Sequence, residues 1–150
     1  MRPIPENILN FINKFNVLSV CGTEGDKSWS ANSFYVFDPE EARFIVVSHK
    51  ESRHMGMILK NPYVSGTIAQ QTESVIKIQG IQYSGIMKEL IKPESKRAFK
   101  IFYTRFPYAR LIRSPIWAIM VDYIKFTDNT LGFGKKTYWE RTAATEENPA

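Results

Sequence analysis

The sequence predicts a mainly β fold, a small antiparallel barrel with helices at its periphery. Three observations carry this. Seven strand-like segments are joined mostly by hairpin-length connections, only three helix-like segments interrupt them, and the two kinds do not alternate as βαβ units. The length agrees, because 150 residues make one core that buries roughly 70% of the unfolded chain's surface and leave too little for two ordinary domains. The expected division is a single domain over residues 1–141 and a polar tail over 142–150 with nothing to bury.

The chain opens with an amphipathic helix from about Pro5 to Phe15, with Ile4, Ile8, Phe11, Ile12 and Phe15 at three- and four-residue spacing. From Val17 the pattern becomes strand-like through Thr23, Glu24 to Lys27 is a hairpin turn, and Trp29 to Phe37 reads as one second strand. Phe44 to Ser48 is an apolar run of the kind buried on both faces. A short helix follows from about Ser52 to Leu59 and stops at Asn61-Pro62. Tyr63 to Ala69 and Val75 to Leu90 read as strands, the second bent at Gly80 and Gly85. Pro93-Glu94 opens a basic helix with Ala98, Phe99, Phe102, Tyr103 and Phe106 as its buried stripe, and Pro107 ends it. Ile116 to Thr127 and Phe133 to Glu140 are the closing strands.

Composition excludes several classes. Hydrophobic residues make up 43% and charged residues 23%, near the globular average, and the longest apolar run, Ile116 to Val121, falls far short of the ~20 residues that span a bilayer. The N-terminus shows no secretory signal, so a cytoplasmic setting is expected. The lone Cys21 cannot form an internal disulfide and reads as a small core residue, and with only His49 and His54 beside it a closed zinc site lacks a fourth ligand. The net charge of +5 gathers between Lys92 and Arg113, where seven basic residues face Glu94 alone. Its aromatic residues sit at helical core spacing, so the segment reads as a solvated helix face and nucleic acid is not an expected partner. Phosphate-loop, dinucleotide-loop, nucleophile-elbow and metalloprotease motifs are all missing.

The informative stretch runs from Phe44 to Val64. A strand ending in a hydroxyl residue, a short loop and Ser52-Arg53-His54 at a helix start bring backbone N–H groups, hydroxyls and cations together, which suits an anion such as phosphate. From spacing alone, Ser52 as a plain helix cap and Arg53 as a surface cation fit as well.

Ser48, the Ser52-Arg53-His54 triplet and Asn61-Pro62-Tyr63-Val64 resemble the strand-loop-helix with which pyridoxamine 5′-phosphate oxidase-like split barrels hold the phosphate of FMN. The resemblance covers nearly the whole chain and implies an antiparallel split β-barrel of the FMN-binding type. The runs RFPYARLIRSP and KFTDNTLGFGKK are similar to a small bacterial family within that superfamily. By resemblance, Ser48 and Arg53 fall on phosphate-binding positions, His54 stands where a lysine is usual, Lys135 where an arginine lies near the flavin, and Thr127 where an aromatic residue is usual. Basic residues of the flavin-binding strand fall on Ser30 and Tyr35, with Ala31 and Asn32 between, and a glutamine contact falls near Val75. The residues that hold the vitamin B6 substrate fall on Leu131 and Phe133, which cannot pair a phosphate, so the resemblance does not extend to that oxidase reaction.

The expectation is therefore an FMN-binding homodimer with cofactor sites between subunits, acting as a flavin-dependent oxidoreductase on a small flat substrate. Ser48, Lys50, Ser52, Arg53 and His54 would hold the phosphate with Lys135 of the partner subunit, Asn32 and Tyr35 would supply a sheet face, and Thr127 would also belong to the cofactor site. The alternative is the same barrel without flavin, binding haem or another ligand and catalysing nothing.

Overall fold

The computed structural model describes residues 1–132 and 134–142, so Phe133 and nearly all of the expected tail lie outside the described residues. Helix α1 (Glu6–Lys14) buries Ile8, Phe11 and Ile12, the face its spacing selects. Strands β1 (Val17–Glu24) and β2 (Lys27–Phe34) form a hairpin whose tight turn puts Gly25 at φ 60°, a conformation that glycine adopts without strain. Then come β3 (Val36–Asp38), β4 (Arg43–Val47), α2 (Arg53–Lys60), β5 (Tyr63–Ala69), β6 (Gln79–Glu89), α3 (Glu94–Arg105), β7 (Ile116–Asp128) and β8 (Lys136–Glu140).

Two expectations about elements are corrected. The expected strand from Trp29 to Phe37 breaks at Tyr35, which turns into the core and gives its hydroxyl hydrogen to the carbonyl of Ile12 at 2.6 Å. Among the described residues there are therefore eight strands, not seven. The alternation around Ile76 and Ile78 is not a strand: Val75–Lys77 is a 3-10 turn with Ile76 and Ile78 in solvent, and β6 starts at Gln79.

All pairings are antiparallel, in the order β2-β1-β5-β6-β7-β4-β3, with β8 also on β7. The sheet curls until β2 comes up to β4, so a barrel-like core forms inside it. Leu18, Val20, Phe44, Val46, Ile119 and Ile124 fill it, and α1 closes it by placing Phe11 against Phe126. Burying each such side chain is worth about 1.5–3 kcal/mol. A second apolar cluster lies outside the sheet, where Ala98 and Phe102 of α3 cover Ile45, Ile116 and Ala118.

Strand β7 is the spine. One edge pairs with β6 throughout; the other pairs with β4 through Ile116 to Met120 and with β8 through Tyr123 to Thr127. At the change of partner the register against β6 slips and Asp122 is left over, a β-bulge. Arg141 pins this point: its guanidinium donates to the carbonyls of Glu41, Ala42 and Val121 at 3.0, 2.8 and 2.7 Å. Gly66 and Gly85 sit where neighbouring strands leave no room for a side chain, since a Cβ would overlap the Ser19 and Met120 carbonyl oxygens respectively.

Helix α3 is tied down by charge. Asp38, 2% exposed, accepts from Arg43 Nε at 3.1 Å and from Arg97 Nη1 at 2.9 Å; Arg43 also reaches Glu94 and Arg97 also reaches Glu40. Arg105 at the other end of α3 holds Asn16 and the carbonyls of Asn13 and Phe15. Two of the seven cations in the basic segment are thus structural.

Candidate functional site

Five of the residues singled out from sequence are brought together by one loop and one helix start: Ser48, Lys50, Ser52, Arg53 and His54. β4 ends at Val47, and Ser48 is fixed from downstream, its N–H donating to the Pro115 carbonyl at 3.2 Å and its carbonyl accepting the Trp117 indole N–H at 3.0 Å. Helix α2 then lies on β1. Gly22 makes that contact possible, since a Cβ there would sit 2.9 Å from Ile58 and 3.0 Å from the His54 carbonyl oxygen. Asn61 donates to Thr23 and Lys60 pairs with Glu24 at 2.7 Å, which holds the far end of the helix.

The Ser52 hydroxyl does not cap α2. It donates instead to the His49 carbonyl at 2.8 Å and makes no hydrogen bond to a first-turn N–H, so those groups lack the side-chain acceptor a cap would give. Arg53 is exposed and lies flat on Trp29 of β2, with its guanidinium carbon 3.9 Å from the ring centre. Lys50 is paired with Glu89 of β6 at 2.9 Å. Ser48 Oγ and His54 Nε2 are 3.3 Å apart, and partial burial lowers the His54 pKa, so the ring favours its neutral form at pH 7.

The other predicted residues are dispersed. Asn32 is exposed on the outer face of β2. Tyr35 is corrected: it is 1% exposed inside the core, its phenol pKa raised by burial against a lowering from Arg105, and it offers nothing to a ligand. The position where the resembling family has a cation is here a core residue. Thr127 and Lys135 lie at the opposite end of β7 from Ser48, roughly 36 Å away along the strand. There Thr127 helps line a separate shallow cavity of ≈ 320 Å³ with Gly80 and Gln82. Cys21 is also corrected, being a half-buried residue on the outer sheet face between Ser30 and Ser65.

Sequence reading missed the ground beside the loop. Val47, the residue before Ser48, is in the wall of an apolar groove of ≈ 490 Å³ completed by Phe34, Phe102, Phe106, Tyr108 and Ile112. The only forewarning was that Pro107 ends the helix and leaves apolar residues stranded after it. The Lys50–Glu89 pair, 39 positions apart, left no sequence signal. The outer sheet face is open too: Asn32, Ser19, Thr67, Gln82 and Lys125 make a row across five strands, all exposed or half-buried. Among the described residues no group of three or more His, Cys, Asp or Glu is placed to hold a metal, and no helix is long and apolar enough to cross a membrane.

A curled antiparallel sheet with a strand-loop-helix at one end is a split-barrel architecture, and comparison with solved structures shows the same fold. The fold matches a haem-binding protein from Mycobacterium smegmatis with a TM-score of 0.75, at 13% identity, over 93% of this chain and 59% of that one. It matches a putative pyridoxamine 5′-phosphate oxidase from Listeria innocua at 0.64, with 15% identity over 81% and 95% of the two chains. An FAD-binding protein from Mesorhizobium loti matches at 0.65, with 10% identity over 82% and 94%. The chain belongs to the UPF0306 family: it is 44% identical over 134 residues to the member from Cronobacter sakazakii, covering 89% of this chain and 93% of that protein. It is 39% identical over 140 residues to YhbP of Escherichia coli, covering 93% and 95%. The chain matches no protein-family model.

Proposed function

We propose that the protein binds FMN as a homodimer and acts as a flavin-dependent oxidoreductase on a small, flat, weakly charged substrate. One observation carries this reading: Val47, in the wall of the apolar groove with Phe34 and Phe106, is followed directly by Ser48, the first residue of the loop that also carries Ser52, Arg53 and His54. A phosphate next to a slot of ≈ 490 Å³ matches a ligand with a charged tail and a broad aromatic ring.

The donor set fits a phosphate. Arg53 supplies a planar fork, the Ser48 hydroxyl lies on the same loop, the Ser52 hydroxyl would join it by leaving the His49 carbonyl, and the N–H groups of the first turn of α2 lack a side-chain cap. The groove would hold the ring and exclude water from one side of it. When bound, FMN supplies the hydride chemistry. Leu131, exposed and apolar, offers nothing to a second phosphate, which supports a substrate other than the phosphorylated vitamin.

The dimer rests on separation. Thr127 and Lys135 are too far along β7 to meet the Ser48 loop of their own chain, so they join a site only from a second copy. The open outer sheet face, with exposed Phe34, Tyr63 and Tyr138 among its small polar residues, is the surface we assign to that contact.

The test is visible absorbance after adding excess FMN and removing free ligand by gel filtration. Retained flavin bands at about 450 nm, in a particle of twice the chain mass, are expected, and Arg53→Ala should lose them. A protein that stays colourless overturns the reading; a Soret band after haem addition to that colourless protein would move the site to haem.

A further inference from the structure

We propose that this site takes up one proton with its phosphate, and that His54 is the residue that receives it. The inference rests on the reading of the loop as a phosphate site and concerns how charge is balanced there.

A phosphate ester is a dianion above pH ~6, and the loop has little positive charge to meet it. Lys50 is already paired with Glu89 at 2.9 Å. On β2 the positions that face the loop's helix or the open sheet carry Lys27, Trp29, Ser30 and Asn32, with Lys27 opposite Glu24 at the far end of α2, while Tyr35 is buried. Among the described residues of the loop and α2, Arg53 is the one lysine or arginine without a carboxylate partner, and it rests on an aromatic ring. One full positive charge therefore faces two negative ones.

His54 is placed to correct this. With Nε2 unprotonated, the Ser48 hydroxyl spends its hydrogen on the imidazole, and the pair shows an incoming anion only the lone pairs of Oγ. Protonating Nε2 reverses the bond: the ring donates to Oγ, and the Ser48 hydrogen is released to donate to the phosphate. A single proton thus adds a charge and a donor at once. The half-buried ring favours its neutral form without ligand, so the proton arrives with the anion.

The surroundings support one titrating group. On its own loop and helix His54 is flanked by His49, Glu51 and Arg53, none of which bonds to its ring. From the strands packed against α2, Glu24 of β1 is engaged by Lys60 at the far end of the helix, where Lys27 of β2 lies opposite Glu24 and Asp26 of the turn is close by; Glu89 of β6 is engaged by Lys50 of the loop.

The experiment measures FMN affinity between pH 7 and 8.5, where the ligand's phosphate stays a dianion, with riboflavin as the phosphate-free control. In weakly buffered solution at pH 7 we expect up to one proton absorbed per FMN bound, and affinity falling by up to about tenfold per pH unit, the limit for one linked proton. Riboflavin binding should stay flat with pH. His54→Lys, with its charge fixed, should bind FMN without that slope, and His54→Gln should bind weakly at every pH. Wild-type FMN binding with no slope and no proton uptake overturns the proposal while leaving the phosphate reading standing. Riboflavin bound as tightly as FMN, or no FMN binding at any pH, overturns both.

Discussion

Two sets of cations in this molecule are chemically alike and do opposite work. At the base of α3, Arg43 and Arg97 converge on Asp38, and Glu94 and Glu40 complete the cluster. At the start of α2, Arg53 has no carboxylate and lies on Trp29, and His54 shares a hydrogen with a serine. In the first region each charge is answered inside the fold, and its job is to hold a helix on a sheet. In the second the charge has no such answer in the fold, and on the proposed reading it meets an incoming phosphate. The basic segment from Lys92 to Arg113 attracts the eye by count, yet the smaller group around Arg53 is the better functional candidate, because commitment rather than abundance separates them.

The sharpest way to break this contrast is Asp38→Ala. It leaves Arg43, 4% exposed, without its main partner, and should cost about 3–5 kcal/mol in urea unfolding. Arg53→Ala should cost no more than about 1 kcal/mol in the same assay, the worth of its contact with Trp29, and yet abolish FMN retention. If the two substitutions cost the same stability, the division between structural and waiting charge is wrong. Next in size is Gly22→Ala, which pushes the Ile58 side chain and the His54 backbone off β1. About 1–3 kcal/mol of destabilisation is expected, with weaker FMN binding, because the helix that carries Arg53 must shift.

Trp29→Ala should cost no more than about 1 kcal/mol in unfolding, since the residue is 44% exposed, but should loosen Arg53. The cation–ring contact is worth about 0.5–1 kcal/mol, or roughly two- to fivefold in FMN affinity, and Trp29→Phe should recover part of it. The smallest effect is on stability against pH. The pKa of His54 is lowered in the folded chain, so its contribution is present above the unfolded value of 6.5 and is lost as pH falls below it. Urea unfolding at pH 7.5 and pH 5 should show a stability decline, part of which His54→Gln removes.

Much of the fold was legible because its signals are local. Three-and-four spacing marks α1, the Glu24 to Lys27 turn marks the first hairpin, and the unbroken apolar run of β4 marks a strand covered on both faces. The failures were tertiary. Tyr35 looks like any strand aromatic until the Ile12 carbonyl takes its hydroxyl, and Ile76 and Ile78 alternate like a strand but find no neighbour. For the site, Ser48, Ser52, Arg53 and His54 were legible as a cluster because they fall within seven consecutive residues. What each is bonded to was not: the Ser52 hydroxyl turns away from the helix it precedes, and Lys50 is claimed by a strand far along the chain.

The two bonds that fix Ser48 come from Pro115 and Trp117, the latter 69 positions downstream. Closing so long a loop is slow relative to forming the β1–β2 hairpin, and β4 gains its β7 partner only when that closure is made. During synthesis the loop residues leave the ribosome long before the residues that anchor them. On the proposed reading, ligand capture is then a late event in the life of the chain, and a fragment ending before Trp117 should keep every loop residue and bind no FMN.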